Sequence, residues 1–110
     1  MSAMLDNNET ILRAILSMTA RQAIPVSNLS QIVLKGSGEK QLRAYNMCDG
    51  TKSQREIARA AKLDEASFSR TVGRWVDAGA LFRLGAGRDT KLLHAYPLPA
   101  DAAKKAKGGA

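Results

Sequence analysis

Two helices, set so close together that only a tight turn fits between them, constrain this chain more than any other feature. Ser53-Gln54-Arg55-Glu56 reads as a capping box, in which the Ser53 hydroxyl accepts from the Glu56 amide and the Glu56 carboxylate reaches back. The helix it opens carries Ile57, Ala58 and Ala61 on one face. Within three residues a second start follows at Asp64, and the helix Glu65–Ala78 places Phe68, Val72, Trp75 and Val76 together. Leu63 lies two residues past Ala61 and five before Phe68, so both helices can share one small core with Ile57. Ala58 and Ala61 are small enough to stand where the helices cross. Gly79 then ends the second helix where a left-handed residue is usual.

The rest of the chain is read around that pair. Asn8 is an N-cap candidate, and Ile11, Leu12, Ile15, Leu16 and Thr19 recur behind it at helical spacing. This predicts a helix over roughly 8–22, stopped by Pro25, with 1–7 frayed. Val26–Leu34 reads as a short helix (Leu29, Ile32, Val33) opened by Ser27 or Asn28, although Gln31–Leu34 also suits a strand. Gly36-Ser37-Gly38 separates this arm, 1–37, from a domain over 38–99. There a helix over Glu39–Cys48 turns Leu42, Tyr45 and either Ala44 or Cys48 inward, and Asp49-Gly50 breaks it. Strands Leu81–Leu84 and Lys91–Tyr96 form a hairpin across Gly85–Thr90, and Pro97 and Pro99 close the fold. The Ala/Lys/Gly tail, 100–110, is expected to be disordered.

A length of 110 residues suits one domain, and with only 5% aromatic residues its core must be filled by aliphatic side chains. One Cys and one His exclude an intrachain disulfide framework and an ordinary Cys/His zinc site. A catalytic Cys–His pair would require Cys48 and His94 to meet. Apolar runs are as short as Ala14-Ile15-Leu16, too short for a membrane span or secretory core, so a cytoplasmic location is expected. No paired carboxylates, activated nucleophile or cofactor motif can be placed on one surface, and Gly85-Ala86-Gly87 lacks what a phosphate loop needs. The expectation is a binding protein with no enzymatic activity, cofactor or metal.

The order helix, helix, tight turn, helix, hairpin is that of a winged helix-turn-helix: a mainly α (α+β) fold with a two-stranded wing hairpin, here preceded by an N-terminal helical arm. Residues 49–97 resemble the winged-helix regulators of bacteria and archaea, most closely the MarR-like group. The resemblance is carried by Ile57-Ala58 before the turn, Ser69-Arg70 in the second helix, Gly79 before the first wing strand, and Asp89-Thr90-Lys91 in the wing. It implies duplex DNA as ligand, with the second helix as the reader. Three departures stand out. Lys62 occupies a turn position often held by Gly, Lys91 replaces the wing arginine, and nothing helical follows the wing. The dimer geometry and effector pocket of that group therefore do not carry over.

Charge points the same way without the family. The chain carries +7, with nine basic against five acidic residues between Thr51 and Tyr96 and near balance in residues 1–50. Once the buried face of Glu65–Ala78 is removed, Ser67, Ser69, Arg70 and Arg74 remain to meet DNA. A major groove about 12 Å wide admits such a helix. Arg70 is the expected bidentate base contact, Ser67 and Ser69 reach bases or phosphate, and Arg74 meets backbone. Arg88 at the hairpin tip suits a narrow minor groove, with Lys91 behind it. Lys52 and Arg55, near a helix N-terminus, suit phosphate.

Each residue also has a plainer reading: Arg70 as a salt bridge to Glu65 or Asp77, Arg88 and Asp89 as turn formers, Trp75 and Cys48 as packing, and His94 as a structural residue. The expected function is sequence-specific double-stranded DNA binding in transcriptional regulation. A homodimer through Ile11, Leu12, Ile15 and Leu16 is expected, because two helices double the base contacts of one. The rival readings are a protein-docking module and an architectural DNA binder without sequence preference.

Overall fold

Pro25 ends one helix and begins another within three residues. In the computed structural model, which describes residues 2–35, 38–87 and 90–102, helix α1 spans Ser2–Ala23 and α2 spans Val26–Leu34. Helix α1 is longer than expected. Asn8 lies inside it rather than capping it, and 2–7 are helical rather than frayed, since Ala3, Met4 and Leu5 all favour continuation. Helix α2 settles the ambiguity of Val26–Leu34 as helix, with Pro25 itself at the N-cap in place of Ser27 or Asn28. Its Leu29, Val33 and Leu34 are buried, with Ile32 packed at the edge of the same core.

Helix α3, Glu39–Asn46, buries Leu42, Ala44 and Tyr45, and Cys48 just beyond it is buried as well. Strand β1, Asp49–Ser53, was not expected at all. Its sequence has the composition of a turn, and it becomes a strand only by pairing with a distant partner. Three strands therefore form the sheet instead of two, in the order β1-β3-β2, all antiparallel, with β2 over Leu81–Leu84 and β3 over Lys91–His94. The His94 amide donates to the Cys48 carbonyl at 2.7 Å beside the Asp49–Leu93 pair. A bulge follows, where Gly50 takes φ +89°. Strand β3 stops two residues short of the expected Tyr96, although the Ala95 amide still donates to the Ala80 carbonyl in the β2–β3 register.

Helices α4, Gln54–Ala61, and α5, Glu65–Asp77, begin as the sequence predicts. Both halves of the capping box are made: the Glu56 amide donates to Ser53 Oγ at 3.2 Å, and the Ser53 amide donates to Glu56 Oε1 at 3.0 Å. The Asp64 carboxylate accepts from the Ser67 amide at 2.9 Å and caps α5. The two helices also end alike. Leu63 N–H donates to the Ala58 carbonyl across left-handed Lys62, and Ala80 N–H donates to the Trp75 carbonyl across left-handed Gly79, each the outer bond of a Schellman closure. The reversal from α4 into α5 is thus closed by hydrogen bonds on both sides, and Leu63 packs against the shared core.

That core centres on Trp75, fully buried in T-shaped contact with Tyr45 and Phe68, whose ring centres lie 5.2 and 5.9 Å from its own. The Tyr45 hydroxyl donates to the Ala80 carbonyl at 2.9 Å, so the aromatic cluster also fixes the entry into β2. Asn46 holds the chain after the sheet by a double bond to Leu98: its amide nitrogen donates to the Leu98 carbonyl and its oxygen accepts from the Leu98 amide. Leu98 and Ala102 are buried by this closure. The result is a mainly helical α+β fold with one core, to which α1 contributes only Ala20 as a buried residue among its described side chains. Otherwise α1 is tied down by polar contacts. Arg13 donates to the Asp49 carbonyl at 3.1 Å, Arg21 lies over the Tyr96 ring at 4.4 Å, and the Tyr96 hydroxyl donates to the Ile24 carbonyl.

Candidate nucleic-acid interface

Burial of Phe68, Val72 and Trp75 decides which side of α5 is free. Turning those three inward leaves Glu65, Ala66, Ser67, Ser69 and Arg70 exposed along its first half. Arg70 makes no ion pair with Glu65 or Asp77 among the described residues. Its Nη2 donates instead to Ser67 Oγ at 3.3 Å, one turn back. The guanidinium and one serine are therefore held together on the exposed face, with Ser69 beside them. The second half of the helix is less open. Thr71 is half-buried and within 3.5 Å of Gln41 from α3, and Arg74 is half-buried with its Nε covered and unpartnered. Arg74 is therefore a poorer backbone contact than its helical position alone suggests.

The other basic candidates stand in a separate group on α4 and the sheet. Lys52 on β1 pairs with Asp49 at 3.3 Å, Arg55 pairs with Glu65 at 3.6 Å, and Lys91 on β3 stands 3.9 Å from Glu56. All six side chains are more than a third exposed, and such pairs contribute little to stability. Hydrogen bonds from Thr51, followed by the nearby Lys52, hold the Asp49 carboxyl below its ordinary range. The Ser53 amide does the same for Glu56, and the Ser67 amide for Asp64. Arg88 and Asp89 lie outside the described residues.

Between the start of α4, the start of α5 and the β2–β3 hairpin lies a cleft of about 600 Å³. Ala58 and Leu92 line it, with Arg55 and Glu65 from the helices and Arg83 and Thr90 from the hairpin. Arg83 is exposed and makes no ion pair among the described residues. It entered the sequence reading only as a charge. The period-two alternation of β2 could have found it, because Arg83 shares a side of the strand with buried Leu81 and pairs in register with buried Leu92. The expected residues thus fall into two places: Ser67, Ser69 and Arg70 on the open face of α5, and Arg55 in the cleft with Lys52 and Lys91 outside its lining.

Cys48 and His94 do not form a reactive pair. The buried thiol donates to the Ala44 carbonyl at 3.3 Å, and burial, with the Asp49 charge, pushes its pKa up to about 12. His94 lies tilted against the Tyr45 ring, its Nδ1 buried without a partner, and burial pushes its pKa below the ordinary value. Among the described residues no group of His, Cys, Asp or Glu could hold a metal, and no helix is long and apolar enough to cross a membrane. Comparison of the chain with protein-family models, curated proteins and solved structures returned no match.

Proposed function

We propose that the protein binds double-stranded DNA sequence-specifically and acts as a cytoplasmic transcriptional regulator with a winged helix-turn-helix arrangement of the MarR-like kind. The observation that carries this reading is the open first half of α5. There Arg70, steadied by Ser67 and flanked by Ser69, is presented on a helix whose other side is locked into the core. Short polar side chains around one arginine suit the edges of base pairs, where a bidentate guanidinium contact to guanine discriminates by about 1–3 kcal/mol. The cleft at the start of α5, lined by Arg55 and Arg83, offers guanidinium groups of the kind that contact phosphate. The reading includes a homodimer, since one short helix face offers few base contacts and paired half-sites double them.

Selection from a randomised duplex library at several salt concentrations, with Arg70→Ala in parallel, tests the reading. A two-fold symmetric motif is expected, weakening with salt, and Arg70→Ala should relax preference at one position in each half-site. Binding that survives scrambling of the selected site would make the protein an architectural DNA binder. Absence of binding at moderate salt would refute the DNA reading and favour a protein partner for α5.

A further inference from the structure

The side of α1 that faces away from the body is the most apolar uncommitted surface among the described residues. Ile11, Leu12, Ile15 and Met18 keep 57, 65, 54 and 66% of their surface exposed. This corrects the expected seam: Leu16 is half-buried on the side of Ser17 and Ala20, and Met18 takes its place on the open face. The charged residues lie elsewhere on the helix. Glu9 pairs with Arg13, Arg13 also reaches the Asp49 carbonyl, and Arg21 lies over Tyr96. A helix with polar anchors toward its own body and large apolar side chains toward water lacks a second surface.

We propose that this face pairs with the same face of a second copy, antiparallel, about a two-fold axis passing Ile15. The proposal rests on the homodimer of the functional reading and is independent of DNA. Its first support is self-complementarity. Asn8 and Gln22 are both exposed, each seven residues from Ile15, about 10 Å along the axis in opposite directions. An antiparallel pair sets each Asn8 level with the other copy's Gln22, so carboxamides that can donate and accept close both ends of an apolar centre. A parallel pair would set the helix dipoles side by side in the same direction, whereas the antiparallel one opposes them.

The second support is area. At about 100 Å² for each large apolar side chain, the four residues provide about 800 Å² across two copies. Exposed Asn8, Ala14, Thr19 and Gln22 extend the face toward the ~1,200 Å² at which specific interfaces begin. Ala14, at the flank, lets the helices approach closely.

Sedimentation equilibrium of the full chain without DNA, combined with cysteine cross-linking, tests the arrangement. Buried Cys48 makes the native chain a silent background. A dimer at micromolar concentration is expected. Ile15→Cys should cross-link to itself under mild oxidation. Asn8→Cys should not, but should cross-link when mixed with Gln22→Cys on a separate chain. Ile15→Glu should weaken association about 100-fold or more, by placing two unpaired charges in the seam, with unchanged helix content because the position is exposed in one copy. A monomeric wild type overturns the proposal and leaves the face to a different protein. Self-cross-linking of Asn8→Cys overturns the antiparallel sense, and a dimer unaffected by Ile15→Glu overturns the seam. A dimer with these properties that binds no DNA would refute the functional reading and leave the pairing supported.

Discussion

Replacing Lys62 with glycine should stabilise the protein. Lys62 adopts φ 59° and ψ 46°, the left-handed conformation that turns α4 into α5. A side chain there crowds the following carbonyl and costs roughly 1–2 kcal/mol. Glycine removes that cost but gives the unfolded chain more freedom, which returns roughly 0.5–1 kcal/mol. Lys62 is exposed and makes no side-chain hydrogen bond or ion pair among the described residues, so its removal loses little else. The net expectation is a gain of about 0.5–1 kcal/mol, or about 2–4 °C in Tm for a chain of this size. Thermal denaturation by circular dichroism, with guanidine unfolding as an independent measure, would read it. Lys62→Ala is the decisive control, because it removes the same charge and keeps the Cβ. If alanine stabilises as much as glycine, the gain comes from charge and the backbone argument is wrong. If glycine destabilises, the turn is not strained.

Cys48 should resist alkylation in the folded protein at pH 8 and react fully once guanidine unfolds it, since burial pushes its thiol up to about 12; rapid labelling of the native chain would contradict this. His94 is the only histidine, and burial places its folded pKa below the ordinary 6.5. The unfolded state therefore binds the proton more readily, so stability should be level between about pH 7 and 8, below the range where the unfolded Cys48 thiol ionises, and fall as pH drops through 6.5 toward 5. The lowered carboxyls of Asp49, Glu56 and Asp64 titrate below that window, so His94→Gln should flatten the slope, and a slope that persists would assign it elsewhere.

Legibility in the sequence followed the range of the interactions. The Ser53–Glu56 box, the Asp64 cap, the left-handed Gly79 and the buried face of α5 are set by residues within a few positions of one another, and all are found as read. Strand β1 was missed because nothing local makes Asp49–Ser53 extended. Its hydrogen bonds come from β3, some forty residues on. The Asn46–Leu98 bracket and the grip of Arg13 on the Asp49 carbonyl escaped for the same reason. The face of α1 was half legible: periodicity identified an apolar stripe, but only the polar anchors on Arg13 and Arg21 decide that Leu16 turns inward and Met18 outward. At the candidate interface the sequence supplied the helix and the arginine, whereas the neighbourhood of Arg83 depends on how the hairpin packs beside α4.

The ion pairs on that face bear on how tightly DNA could be held. Arg55 is the clearest case, because its partner Glu65 stands in the first turn of α5, where a carboxylate would face the phosphates of any duplex the helix entered. At 3.6 Å, with side chains 73 and 61% exposed, the pair is screened by solvent and gives way readily to a stronger anion. On the proposed DNA reading, Glu65 would oppose binding in two ways, by repelling phosphate directly and by occupying Arg55. Glu65→Gln removes both effects while keeping the shape of the side chain. It should raise DNA affinity about 3–10-fold at low salt and steepen the dependence on salt by about one counterion. Sequence preference should be unchanged, because the base-reading group of the proposal is Arg70 on the turn beyond. If Glu65→Gln leaves affinity and salt dependence alone, Arg55 is not part of the phosphate path. If it sharpens or alters sequence preference instead, Glu65 itself reads a base, and the cleft beside it is bystander to the recognition.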